Sequence, residues 1–328
     1  MLRKLTLFTG IGLLTAVLCG CSTGTLPPAG DGSPNQPHSV QKPMVKVVVT
    51  TDFGKEVMLE QTIEIEPDTS ALEALKSVAT VETKYGGNFV DAINGVSSQY
   101  MGANGSKKDW LWYVNGVSSN IGANDYVLKD GDIEHWDFRD WSYQQFIPAI
   151  IGEFPQPFLN GYQGKVKPTT IVYEEWFQDC AQLLVETLSE LGVGELSAVI
   201  HNQLPKASQE QHNLIVLGRQ DNELILELNN LHKKLGFYTY FNGGKLVVLN
   251  ANGKVVNEYG ARSGLIQATQ NPWNPKGVGA GENVVWMISG TDDEGVRKAV
   301  QALISLSADL NYAYAAVVIE RSAIKIPQ

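Results

Sequence analysis

Five histidines, three cysteines and 35 acidic residues are the groups with which this chain could do chemistry. Their spacing narrows what that chemistry can be. No two histidines lie three to five residues apart, so paired metal-ligand spacing is missing. No Walker A lysine, nucleophile elbow, HExxH or CxxC occurs. Gly277-Val278-Gly279-Ala280-Gly281 precedes a strand, whereas a dinucleotide-binding turn follows one, so it reads as a mobile loop. Asp130, Asp132, Glu134 and Asp137 are the acids that could hold calcium, but they lack the ligand order and glycine of an EF-hand loop. On a strand, Asp132 and Glu134 would share a solvated face, with His135 turned to the other side near Asp137. Cys180 falls at helical spacing with Phe177, Leu184, Leu188 and Leu191, as a core residue does. These residues give no catalytic constellation and no resident cofactor or metal; the chain reads as a non-enzyme.

Cys21 is the cysteine with a chemical expectation. Arg3 and Lys4 precede an apolar run from Leu5 to Leu18. At about 1.5 Å per residue that run reaches roughly 21 Å, short of a hydrocarbon core of about 30 Å. It therefore fits a signal peptide better than a permanent span. Leu18-Cys19-Gly20-Cys21 resembles a bacterial lipobox, with Leu at −3 and a small residue at −1. The resemblance implies cleavage after residue 20 and acylation of Cys21 by more than one chain. Such a protein is extracytoplasmic and lipid-anchored to the bacterial membrane. Residues 21–43 carry Pro27, Pro28, Pro34, Pro37 and Pro43 among Gly, Ser, Thr and Asn, and read as a tether.

The remaining chain needs elements to position anything. Its net charge is −10, which argues against nucleic acid as a partner. Its 43% hydrophobic residues suffice for packed cores. Residues 44–138 predict a strand over 45–50, a turn at 52–55 and a return strand over 57–66. A capping box Ser70-Ala71-Leu72-Glu73 opens a helix, and strands follow near 89–93, 110–114 and 133–138. That order predicts a β-grasp-like α+β domain. Residues 139–168 read as a connector. Residues 169–328 alternate strand and helix and predict an α/β domain with a largely parallel sheet.

The segments Ser70–Leu75, Phe89–Gly95, Trp110–Gly116, Gly122-Ala123 and Asp130–Asp132 together resemble the transcobalamin-like C-terminal domain. That module is the smaller β-rich domain of the animal cobalamin carriers, and it also occurs in bacterial surface proteins. The resemblance covers about a third of the chain. It implies that Tyr113 and the loop after the glycine form a wall against a corrinoid. The matching residues are Tyr113, Asn115, Ser118, Ser119, Asn120 and Ile121. Read from residue types alone, Tyr113 is either that wall or half-buried sheet surface, and the loop either a ligand contact or a hairpin connection. The stretch Val284–Val300, with Asn213–Asn222 before it, is similar to α/β domains of surface-layer proteins and of the periplasmic cellulose-synthase regulatory subunit. Two functions follow. One is a membrane-anchored protein that binds cobalamin or a related corrinoid and hands it to a transporter. The other is a structural or adhesive envelope protein that binds wall polysaccharide or a protein partner.

Overall fold

The computed structural model describes residues 42–87, 89–100 and 105–328. The expected signal peptide, the expected acylation site Cys21 and nearly all of the expected tether lie outside the described residues. Among the described residues, no helix is long and apolar enough to cross a membrane. Residues 42–328 fall into a single compact unit.

In chain order the small module contains β1 (Met44–Thr51), β2 (Glu56–Glu64), α1 (Ala71–Val78), β3 (Val81–Lys84), β4 (Phe89–Ile93), β5 (Val96–Ser97), β6 (Lys108–Val114), β7 (Val117–Ser118) and β8 (Ile133–Asp140). The capping box forms as expected: the Ser70 side chain accepts from the Glu73 amide, and the Glu73 carboxylate accepts from the Ser70 amide. The main sheet runs β2-β1-β8-β6-β7, with β1 and β8 parallel and the other neighbours antiparallel. Strand alternation gives this sheet two faces. Val45, Val47, Val49, Trp110 and Trp136 pack with Leu72 and Leu75 of α1. Tyr113, Thr50, His135, Asp137 and Arg139 occupy the opposite face.

The larger lobe contains α2 (Gln156–Leu159), β9 (Thr169–Tyr173), α3 (Gln178–Glu190), β10 (Leu196–Ile200), α4 (Lys206–Gln211), β11 (Asn213–Arg219), α5 (Glu223–Asn230), β12 (Thr239–Asn242), β13 (Lys245–Leu249), β14 (Val255–Tyr259), β15 (Ser263–Gln270), β16 (Val284–Gly290), α6 (Asp293–Ile304), β17 (Ala315–Ile319) and β18 (Ser322–Ile326). Its sheet order is β10-β9-β11-β16-β15-β17-β18. Pairs from β10 to β16 are parallel, and pairs from β16 to β18 are antiparallel. This corrects the expectation of a largely parallel sheet. The antiparallel half is built by β15, β17 and β18; β17 (AAVVI) is a short apolar run, whereas β15 (SGLIQATQ) carries no alternation. Residues β15 places fully inside include Gln267, Thr269 and Gln270, a pattern that reads as a loop in sequence. The chain is a mixed α/β protein with strands in four described sheets. Cys180 is 4% exposed in the core beside Leu184 and Leu188, as its spacing predicts.

The segment expected to be a connector is core. Ile147, Ala149, Ile150, Ile151 and Phe158 are all 4% exposed or less. Its backbone stitches the two regions together. Ser118 and Ile150 donate to Pro148 and Gly116 on the module side, and Ile151 and Tyr312 donate to Ala313 and Gly152 on the lobe side. The approach is close: a Cβ on Gly54, whose φ is +73°, would stand 1.9 Å from the Tyr312 carbonyl oxygen.

Candidate functional site

The seam between module and lobe has a sealed centre and an open rim. The centre begins with Tyr113. Its ring is 1% exposed, packed edge-on to Tyr314 at 5.7 Å and beside His135 at 6.3 Å. Burial raises the phenol pKa of Tyr113, and raises that of Tyr314 well above its ordinary value. The expected ligand wall at Tyr113 is therefore corrected: the lobe already covers it. Asp137 accepts from Phe53 N and Gly54 N at 3.1 Å each, from the Thr50 hydroxyl at 2.7 Å and from the Tyr314 hydroxyl at 2.9 Å. Thr50 Oγ1 lies 2.8 Å from His135 Nε2, and His135 Nδ1 lies 2.6 Å from Glu153 Oε1. Arg139 sits over the rings of Phe53 and Tyr314 and donates to the carbonyls of Gln144 and Gln145. Thr50, His135, Asp137, Arg139, Glu153 and Tyr314 are all buried, with no more than 4% exposure at any of them. A reacting substrate could not reach this acid–base chain, and the hydrogen bonds among these groups offset most of the cost of burying them, although Glu153 Oε2 and Arg139 Nε are left without partners.

Asn115 is also inside, at 0% exposure. It and Gly116 both have positive φ, as a type I′ hairpin turn requires. Its amide nitrogen donates to Asp132 Oδ1 and to the Gly161 carbonyl, and its oxygen accepts from Ile133 N, all at 2.8 Å. Both amide protons are spent and the side chain is out of reach of a ligand, so that expectation is corrected too. Asp132 and Glu134 are not on a solvated face; both are 0% exposed. Burial raises the Asp132 carboxyl against the pull of Lys129 N and the Asn115 amide. Burial pushes Glu134 up to about 8, opposed by Trp136 Nε1, which donates to it at 2.6 Å. Asp130 lies apart from these and accepts from Met44 N. The four acids thus serve different neighbours. Among the described residues, no group of three or more His, Cys, Asp or Glu is placed to hold a metal ion. His135 and Asp137 do share a side, joined through Thr50.

The rim opens where the β7 loop leaves the sheet. Val117 is buried, Ser118, Ser119 and Ile121 are half-buried, and Asn120 is exposed. Asn120 and Ile121 line a cavity of about 270 Å³ together with Tyr162, Lys165, Lys167 and Glu282. The Tyr162 hydroxyl donates to Asn120 Oδ1, accepts from Asn120 N and lies 2.9 Å from Ser119 Oγ. Burial raises the Tyr162 pKa. Asn120 Nδ2 donates to the carbonyls of Gly279 and Ala280. Gln270 closes the back. Its amide nitrogen donates to the carbonyls of Ser118 and Pro148, and its oxygen accepts from Gly279 N and Gly281 N at 2.9 and 2.8 Å. The glycine-rich stretch expected to be mobile is thus pinned at both amides. Gly281 also has a steric reason: its φ is +68°, and a Cβ there would meet Tyr162 Cε1 at 2.8 Å.

Sequence reasoning brought Asn120 and Ile121 to this rim. It missed Gln270, Tyr162, Lys165, Lys167 and Glu282. The positive-φ glycines of 277–281 were the available signal for a shaped loop; nothing local marked Gln270 as its anchor.

A second, larger cavity of about 350 Å³ lies at the carboxyl ends of β11 and β16, lined by Arg219, Gln220, Asp221, Thr291 and Asp292 among others. Its charged groups are already committed. Asp292 accepts from Gly295 N and Arg262 N, and Arg219 pairs with Asp221 and Asp293.

Residues 68–140 match a protein family described as a domain of unknown function, DUF4430. No curated protein matches the chain. Several solved structures align with part of it. One is a candidate metal-binding protein from Ruminococcus gnavus ATCC 29149, 19% identical, over 30% of this chain and 98% of that one, with a TM-score of 0.24. Another is haptocorrin in complex with Cbi, 15% identical, over 30% of this chain, with a TM-score of 0.25. This chain spans 26% of the haptocorrin chain. Neither score is high enough to carry a fold or a ligand over to this protein.

Proposed function

We propose that the protein is a lipid-anchored, extracytoplasmic binding protein whose ligand is small and polar and sits in the rim cavity. One observation carries the reading: three loops distant in sequence, at 118–121, 161–167 and 279–282, converge on that cavity and are locked to one another by Gln270 and Tyr162. A pocket formed in advance on a rigid scaffold costs little ordering when it binds. The buried Glu153–His135–Thr50–Asp137 chain supports a binding role over a catalytic one, because nothing can reach it. The lipobox-like Leu18–Cys21 supports the anchor.

The corrinoid expectation finds no support in this geometry. Its aromatic wall is covered, and about 270 Å³ falls below the roughly 300–1,000 Å³ of pockets for drug-sized ligands. Calorimetry of the full chain in detergent, against small polar compounds and cobinamide, tests the reading. The expected result is heat from a small compound, abolished in Ala280→Trp, which fills the cavity, and none from cobinamide. Cobinamide binding that survives Ala280→Trp would replace the reading with a corrinoid receptor.

A further inference from the structure

We infer that the rim cavity selects an anionic ligand, a carboxylate or phosphate group held between Lys165 and Lys167. This deepens the binding reading and rests on it. The first support is charge. The chain is acidic, with 25 Lys and Arg against 35 Asp and Glu, yet the cavity lining carries two lysines and one glutamate. That glutamate is already neutralised: Glu282 Oε1 lies 2.5 Å from Lys276 Nζ. The Lys276 ammonium, then the Asn274 amide and, more weakly, the charge of Lys167 hold its carboxyl below the usual range. Lys165 and Lys167, by contrast, have no carboxylate within 4.0 Å among the described residues. Lys46 and Lys55, elsewhere on the seam, are paired with Glu60 and Asp52.

The second support is placement. Lys167 is half-buried and Lys165 exposed, and both are part of the cavity lining. The stem of Lys129 packs beside this loop, with its Cγ 3.4 Å from where a Gly164 Cβ would be. An entering anion therefore meets cationic side chains first, in a molecule whose overall field repels it. Such local reversal of sign is a means of selection. Inside, the Gly279 and Gly281 amides are taken by Gln270. The lysines are left as the donors able to meet the charge. An ammonium acts as a compact point charge with three donors, suited to phosphate and carboxylate alike.

The test is calorimetry of the full chain in detergent with inorganic phosphate, citrate and, as a neutral control, glucose. Phosphate or citrate binds, and whichever does names the group. Lys165→Gln and Lys167→Gln each weaken it about tenfold, since a hydrogen bond to a charged group carries that order of effect. The binding weakens with added salt. Lys206→Gln, at a side chain 85% exposed and outside the cavity lining, leaves it unchanged. Both cavity variants keep the wild-type melting temperature, which separates lost binding from lost fold. Anion binding indifferent to both lysine variants overturns the inference. Glucose binding without anion binding, lost in Ala280→Trp, also overturns it while leaving the cavity as a ligand seat. Silence from all three probes removes the anion inference; silence across the broader compound panel as well removes the binding reading.

Discussion

The centre and the rim of one seam show opposite uses of polar residues. At the centre, Thr50, His135, Asp137 and Tyr314 are joined to one another and to Glu153, whose second carboxylate oxygen has no partner, and all of them are buried. At the rim, Asn120 and Tyr162 also satisfy one another, yet Lys165 and Lys167 beside them are left over. Closed polar networks hold surfaces together and specify one docking geometry. Unspent polar groups around a preformed hollow are what a ligand needs. Chemistry-bearing residue types are denser at the centre, but the rim is where binding is possible. A residue's type shows what it could do; only its neighbours show whether that capacity is already used.

The largest expected effects sharpen the contrast from the sealed side. Tyr113→Ala removes a buried ring and is expected to destabilise the protein by ~3–5 kcal/mol in denaturant unfolding. Asp137→Ala strands four donors and is expected to cost a similar ~3–5 kcal/mol. If either variant unfolded like wild type, the centre would not be the closed network described.

Glu134 gives a pH-dependent version. Its ordinary value is 4.5 and burial pushes it up to about 8. Between those values the unfolded chain has released a proton that the folded chain keeps. Stability therefore falls as pH rises from about 4.5 to about 8, by up to ~1.4 kcal/mol per pH unit, and levels off above. Glu134→Gln removes that component. Unfolding curves of the two proteins across pH 4–9 should separate steadily, with the variant the more stable at pH 8. Parallel curves would mean that Glu134 is ionised without penalty.

At the rim the effects shrink. Gly281→Ala forces a side chain into a positive φ and against Tyr162, and is expected to cost ~1–3 kcal/mol. Lys165→Gln is expected to change stability by less than about 0.5 kcal/mol, because its side chain is exposed and without an ion pair among the described residues. A large loss of stability there would make the lysine structural and blur the distinction between centre and rim.

The sequence made much of the small module legible. The Ser70–Glu73 capping box, the Asn115-Gly116 turn and the Trp110/Trp112 versus Tyr113 alternation are local features set by local sterics and periodicity. Trp112 stacks on Trp136 with planes 12° apart, while Tyr113 faces the lobe, as alternation requires. What alternation cannot tell is that a second surface covers the outward face, so Tyr113 and Asn115 looked available. The larger lobe was legible where strands are continuously apolar, as in Leu214–Leu217. It was illegible at β15, where Gln270 is satisfied by distant loops and Gln267 is buried against Met287 of β16 with its oxygen unpartnered. Missing that strand hid both the antiparallel half of the sheet and Gln270, the residue that shapes the cavity.

The central claim is that ligands meet the rim and never the Tyr113 centre. Amide hydrogen exchange of the full chain, with and without saturating citrate, tests it most directly. The account predicts new protection confined to residues 118–121, 161–167 and 277–282, with 110–116 unchanged. Protection appearing instead along 110–116 would contradict it, since that strand would then have to open to its guest.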